Sequence, residues 1–244
     1  MSTVLGVDIG GSGIKAAIVD LTAGVMLTER HRIETPKPAK AKAVGKVVRE
    51  LVTHFDWSGP VGVGFPGVVQ NGIVRTAANL HKSWVDLDAD ALFTKVTGCD
   101  VVMINDADAA GMAEMRYGAG KNHDGTVIML TLGTGVGSAL FREGQLVPNL
   151  EFGHLMIDGQ IAEERASSRA KEELDLSMKD WANDVEVLLL EMERLFWPDL
   201  FVIGGGISKQ FDEFVSYFDK VRTPVVAASM RNNSGIIGAA LVQA

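Results

Sequence analysis

The sequence of 244 residues contains one cysteine, Cys99, with seven prolines and two tyrosines. A lone thiol cannot build an intrachain disulfide, a cysteine-based structural zinc cluster or a dithiol redox pair, so a reducing, cytoplasmic setting is the expectation. The opening MSTVLGVDIGG has no basic segment ahead of an apolar core and no small-residue cleavage site, and does not read as a signal peptide. Long apolar runs are missing too. One uncharged stretch covers 17 residues, 125–141, and Gly133, Gly135, Gly137 and several hydroxyl residues interrupt it. That is not a membrane span. Basic residues are outnumbered, 23 Lys and Arg against 31 Asp and Glu, giving a net charge of −8. This balance argues against nucleic acid or an anionic membrane as the main partner, and leaves any polyanion to a local basic patch.

What is present is enough for a substantial core. Hydrophobic residues make up 47% and charged residues 22%, near the globular averages of about 45–50% and 25%. At roughly 150 residues per domain, one large or two modest domains are expected. Glycine stands out, with 27 residues against an average of about 7%. Gly10, Gly11 and Gly13 follow the apolar VLGV, Gly133, Gly135 and Gly137 follow VIMLTL, and Gly204, Gly205 and Gly206 follow LFVI. Each time a strand-like segment delivers the chain into a turn whose missing side chains let backbone approach a ligand.

The pattern along the chain is mixed α/β. Residues 4–8, 14–20 and 25–33 read as three sequential strands in an antiparallel meander, and 39–54 as an amphipathic helix with Val44, Val47, Val48, Leu51 and Val52 on its apolar side. Segment 61–65 is the next strand, Asn71-Gly72 marks a hairpin between 68–70 and 73–75, and a strand at 101–104 runs into a helix over 107–117. A second cycle starts with strands at 126–132 and 136–141 around GTG. The longest helix follows at 177–196, then a strand at 200–203 and helices at 209–218 and 233–242. The turns GSGI at 11–14 and GTGV at 133–136 share a pattern 122 positions apart, half the chain. Two related α/β lobes facing a common cleft would explain it.

Asp8 ends the first strand just before IGGSG. A carboxylate there can hold a hydrated Mg²⁺ while glycine N–H groups and the Ser12 hydroxyl turn toward phosphate oxygens, or it can simply cap a tight turn. Thr134 and its neighbouring amides form the matching half. Asn105 and Asp106 stand between a strand and a helix, where Asp106 can accept a hydroxyl proton, although helix capping would account for both residues. Asp108 points elsewhere and serves the helix. Glu151 and His154 flank Gly153, whose bend brings carboxylate and imidazole together to hold adjacent sugar hydroxyls, to start a metal site, or to do neither.

DIGGSGIK at 8–15, GFPGVV at 64–69, NDADAAG at 105–111, LTLGTGVGSA at 130–139, EFGHL at 151–155 and VIGGGIS at 202–208 resemble, in order and spacing, the ROK (repressor, ORF, kinase) sugar kinases of the actin and hexokinase superfamily. RTAANLHKSW at 75–84, AEMRYGAGKN at 113–122 and WPDLFVIGGGIS at 197–208 look like its polyphosphate-using glucokinase branch. The resemblance covers essentially the whole chain. It implies a two-lobed actin-like, ribonuclease H-like ATPase fold with an interlobe cleft: a small N-terminal lobe, 1–107, and a larger C-terminal lobe, 108–244, whose last helix packs back on the first.

It further implies that Asp106 is the catalytic base for the 6-hydroxyl of glucose, and that Asn79, Asn105, Glu151, His154 and Glu163 hold sugar hydroxyls. Asp8, directly or through water, would hold Mg²⁺. Gly10, Gly11, Ser12, Lys15, Lys121, Thr134 and Gly135 would meet phosphate, and Gly205 and Gly206 the adenosine of ATP. The family's CxCGxxGC zinc cluster is missing, so no structural zinc is expected and the loop 156–163 must be ordered by other contacts. Lys15, Arg75, Lys82, Arg116 and Lys121 suit a polyphosphate path, while Lys40, Lys42 and Lys46 either extend it or form the solvated face of the first helix. The implied activity is phosphoryl transfer from inorganic polyphosphate, and also from ATP, to glucose. An ATP-dependent hexokinase for glucose or mannose and a sugar-responsive regulator are the rivals, the latter disfavoured because the phosphate strand begins at Val4. The apolar stripe of 177–196 packs within its own lobe or, as in relatives, supports a homodimer.

Overall fold

The structure, a computed structural model, describes residues 2–77 and 80–244. The chain divides into two compact units, Met1–Ala113 with Asn233–Ala244, and Glu114–Asn232. Among the described residues no helix is long and apolar enough to cross a membrane.

Unit 1 opens with β1 (Thr3–Ile9), β2 (Gly13–Asp20), β3 (Val25–Met26), β4 (His31–Glu34), α1 (Ala41–His54) and β5 (Val61–Phe65). The hairpin of β6 (Val69–Gln70) and β7 (Ile73–Val74), then α2 (Ala89–Thr97), β8 (Val101–Asn105) and α3 (Asp106–Tyr117) follow. Its mixed sheet runs β3-β2-β1-β5-β8, with β4 also paired to β2. β1 and β2 are antiparallel, whereas β1, β5 and β8 are parallel. Alternation along β1 sends Leu5, Val7 and Ile9 into a core with Val44, Val48 and Leu51 of α1. Gly6 and Asp8 face the other way.

Unit 2 repeats the scheme. It contains β9 (Thr126–Leu132), β10 (Val136–Arg142), β11 (Gln145–Val147), the hairpin β12 (Met156–Ile157) and β13 (Gln160–Ile161), α4 (Glu163–Ala166), α5 (Ser168–Glu173), α6 (Met178–Phe196), β14 (Leu200–Gly204), α7 (Phe211–Phe214) and β15 (Val225–Ala227). The sheet order β11-β10-β9-β14-β15 matches β3-β2-β1-β5-β8 strand for strand, with an antiparallel pair around each glycine turn and parallel strands beyond. The chain then returns to unit 1 as α8 (Ser234–Leu241), which packs on β1 and β5. Its approach depends on glycine: a methyl at Gly238 would fall on the Ala109 carbonyl, and methyls at Gly6 and Gly62 on the Ile236 and Ala239 carbonyls.

Several sequence expectations need correction. Residues 25–33 form two short strands, because the Thr28 hydroxyl takes the Ile18 N–H at 3.1 Å and interrupts the ladder. Segment 209–218 is a short α7 between two 3₁₀ turns, with the Phe211 and Phe214 rings meeting edge to face one turn apart. Helix α2 went unread, although its Asp88 N-cap and the left-handed Gly98 behind it are orthodox boundary signals. The stripe of α6 is spent inside unit 2, where Trp181, Val185, Leu188, Leu189 and Met192 are buried.

Candidate active site

In unit 1 the first glycine turn is built by its neighbours on the sheet. Gly10 N donates to Gly13 O at 3.0 Å, and the buried Thr35 hydroxyl donates to Gly10 O at 2.5 Å. Arg32 on β4 donates from Nη2 to Ser12 O at 2.8 Å, and a side chain on Gly13 would strike its guanidinium. Sequence reasoning missed Arg32 and Thr35, since only the pairing of β2 with β4 brings them to the turn. That register aligns Asp8, Lys15 and Arg32 in one cross-strand row, with Lys15 Nζ 3.5 Å from Asp8 Oδ2. Gly235 at the start of α8 borders the same carboxyl: a Cβ there would lie 3.2 Å from Asp8 Cγ.

At the junction of β8 and α3, Asn105 does what an N-cap does. Its Oδ1 accepts from the N–H groups of Ala107 and Asp108 at 2.8 and 3.0 Å, while Nδ2 donates to Gly67 O at 3.1 Å. At most one of its N–H bonds is left for a ligand. Asp106 is half-buried and Asp108 wholly buried, so of the two only Asp106 can reach a substrate. Asn79 lies outside the described residues. Arg75 pairs with Asp86 at 2.8 Å, which weakens its place in a basic path.

In unit 2 Gly133 N donates to Gly135 O at 3.0 Å, closing the GTG turn as Gly10 and Gly13 close the first. Ser138 Oγ donates to Leu150 O at 2.6 Å and accepts from Phe152 N at 2.9 Å, pinning the EFGH segment to β10. A side chain on Gly153 would hit the Val136 carbonyl, so glycine permits the 3₁₀ turn Phe152–His154 to press there. The turn brings Glu151 beside His154, and His154 Nε2 lies 4.0 Å from Glu163 Oε1. The other Glu163 oxygen accepts from Val136 N at 3.2 Å, so one carboxylate touches both the imidazole and the edge of the GTG turn. Lys121 is exposed beyond α3. The loop 156–163 is ordered as the β12–β13 hairpin, turning through Asp158 and Gly159 at positive φ. Among the described residues no three His, Cys, Asp or Glu side chains gather as a metal site.

Burial pushes the Glu151 carboxyl above its ordinary range; His154 pulls it back and Glu163 adds to the rise. An unfolded chain gives up this proton near the usual 4.5, whereas the folded one holds it longer. The group therefore costs no stability below the ordinary value and destabilises progressively as pH rises through the folded one. Glu151→Gln is expected to raise Tm near pH 7, with the gain shrinking toward about pH 4. A gain independent of pH in thermal melts would contradict the assignment.

Among the described residues, Gly11, Gly133 and Gly206, one in each glycine turn, have neither a positive φ nor any atom within 4 Å of where a Cβ would lie. Gly205 is different, since its φ of 83° and its contact with the Leu132 backbone already require glycine. At the other three the backbone is left bare and open at the end of a strand.

The model of the ROK family matches residues 4–171. A polyphosphate glucokinase of Mycobacterium tuberculosis (strain ATCC 25618 / H37Rv) is 51% identical over 97% of this chain and 89% of its own length. The chain belongs to the ROK family. Among solved structures, an inorganic polyphosphate/ATP-glucomannokinase from Arthrobacter sp. strain KM is 48% identical and matches with a TM-score of 0.94 over 99% of this chain and 98% of that one. A ROK family glucokinase from Streptomyces griseus, solved with glucose and AMPPNP, is 25% identical with a TM-score of 0.86 over 98% of each chain. This ROK protein thus has the actin-like ATPase fold of the family's sugar kinases, in keeping with the doubled sheet.

Proposed function

We propose that the protein is a glucokinase that transfers the terminal phosphoryl group of inorganic polyphosphate, with ATP as a second donor, to the 6-hydroxyl of glucose. The observation that carries this is the set of bare glycines, Gly11, Gly133 and Gly206, at three turns that end strands. Backbone N–H groups at such turns cradle phosphate oxygens. The relatives from Mycobacterium and Arthrobacter, alike over almost the whole chain, support polyphosphate as donor.

In this reading Asp106 orients the 6-hydroxyl and takes its proton as the oxygen attacks phosphorus. Glu151, His154 and Glu163 hold hydroxyls of the sugar, joined by Asn79 and by the remaining N–H of Asn105. Gly10, Gly11, Ser12, Thr134 and Gly135 receive phosphate oxygens through N–H and hydroxyl groups, and Lys15 and Lys121 supply positive charge. Gly206, beside Gly205, leaves room for adenosine. A divalent metal, Mg²⁺ in this proposal, suits Asp8: a phosphate-bound Mg²⁺ takes one or two carboxylates rather than a protein cage, and Asp8 is a single, partly exposed carboxylate next to the turn. When bound, it would neutralise charge building on the phosphate oxygens. The setting is cytoplasmic, and the assembly a homodimer supported by the exposed Leu195 and Trp197 at the end of α6. Light scattering at micromolar concentration tests the dimer, and a mass of 26.1 kDa would remove it.

Glucose 6-phosphate formation with polyphosphate and with ATP, side by side and across salt, tests the donor. A long chain on several cations loses more than ATP as the Debye length falls from about 10 Å at 0.1 M toward 3 Å at 1 M. Added salt should raise KM for long polyphosphate more steeply than KM for ATP, and Lys121→Ala should flatten that slope. If polyphosphate supports no turnover, the ATP-dependent hexokinase takes its place.

A further inference from the structure

One pocket of unit 1 is lined by none of the residues assigned above to catalysis, to the sugar or to the transferred phosphate. It has a volume of about 510 Å³ and is lined by His31, Lys46, Arg49, Glu50, Thr53 and His54, that is, by the edge strand β4 and the outer face of α1. The rings of His31 and His54 are stacked, centroids 3.8 Å apart and 17° from parallel. Lys46, Arg49 and His54 are exposed, and none of these side chains, nor that of His31, enters a hydrogen bond or ion pair among the described residues. Four nitrogen-bearing groups face one carboxylate, Glu50, on a protein whose net charge is −8. At 100° per residue, Lys42, Lys46, Arg49 and Thr53 fall within about 60° of the circumference of α1. The buried Val44, Val48, Leu51 and Val52 occupy the other side. The pocket therefore continues as a basic stripe along the helix.

We propose that this pocket and stripe form an accessory site for a condensed phosphate chain, holding a stretch of inorganic polyphosphate remote from the phosphoryl group being transferred. The chemistry fits a linear polyanion. The donors are a flexible ammonium, a guanidinium and two imidazoles, all suited to phosphate oxygens, and Lys42, Lys46 and Arg49 succeed one another along α1. A nucleic acid is a poorer match: single strands rely on aromatic platforms for their bases, and the two rings lining this pocket are stacked on each other. Because the general field of the protein repels polyanions, a local patch left without internal partners has the larger effect on where such a chain settles.

The inference rests on polyphosphate being the donor, and the experiment separates the two. Lys46→Ala/Arg49→Ala changes two exposed positions on a helix where Ala is favourable, so the fold should persist. Long-chain polyphosphate, tripolyphosphate and ATP are compared as donors, and binding of long-chain polyphosphate is measured directly by titration without glucose. The double variant should weaken both Kd and KM for the long chain about tenfold, leaving kcat and the KM values for ATP, tripolyphosphate and glucose within about twofold. Glu50→Gln should shift Kd for the long chain the opposite way. Unchanged Kd and KM for the long chain in the double variant would overturn the site, as would equal weakening for ATP. An oligonucleotide of matched charge that binds wild type as tightly as polyphosphate, and loses as much in the variant, would overturn the assignment to phosphate chains. If long polyphosphate drives no turnover in wild type, the donor proposal fails, while the titration still decides the site.

Discussion

Asp106→Asn is expected to lower turnover at least about 100-fold with polyphosphate or ATP, the usual contribution of a positioned general base. The change keeps the shape of the side chain and leaves the Asn105 cap of α3 in place, so the melting temperature should hardly move. KM for glucose should also stay close to wild type, because the sugar hydroxyls other than the 6-hydroxyl are assigned to other residues. Loss in kcat with KM preserved is what an interaction made in the transition state produces. Steady-state kinetics that found turnover within threefold of wild type would end the assignment of Asp106. Asp108 offers no substitute, being completely buried.

The largest expected effect on stability comes from a methyl group. Gly238→Ala would drive a Cβ into the Ala109 carbonyl of α3, and a backbone atom cannot rotate aside as a side chain can. Overpacking of a tight interior costs about 1–3 kcal/mol and more where backbone must shift. A loss of about 3 kcal/mol, or a Tm lower by roughly 6–12 °C for a chain of this size, is therefore expected in calorimetry. Gly206→Ala is the matched control: the same methyl is added where nothing lies within 4 Å. It should leave Tm unchanged and weaken donor binding instead. Equal melting of wild type and Gly238→Ala would show that α8 can slide on its bed.

The strands around the glycine turns were legible because they combine β-branched runs with turn residues, and the Asn71-Gly72 hairpin because its two positive φ values need those residue types. The doubling at 11–14 and 133–136, a weak signal in four residues, is matched by two sheets of the same strand order. Short elements escaped. A nine-residue α2 offers little periodicity, and the break at Thr28 depends on a side chain replacing a backbone partner. In the candidate site the glycine turns were legible from their motifs, and residues delivered by register were not. Arg32 and Thr35 belong to no glycine motif and reach the first turn because β4 pairs with β2. Glu114 was missed for a similar reason. Its buried carboxylate accepts from the N–H groups of Ala119, Ser229 and Met230 at 2.8, 3.1 and 2.7 Å, joining segments more than a hundred positions apart.

Helix α8 has a consequence for how the molecule is made. Synthesis proceeds from β1 onward at about 5–20 residues per second, so the first strands leave the ribosome roughly ten to fifty seconds before the helix that covers them. Throughout that interval the face of β1 and β5 that carries Gly6 and Gly62 waits for an apolar partner, SGIIGAAL, while all of unit 2 is translated. Contacts this distant in sequence make closure of unit 1 a late, slow event. Unit 1 is thus opened before unit 2 and completed after it, and a lesion in α8 would be felt by strands made long before it.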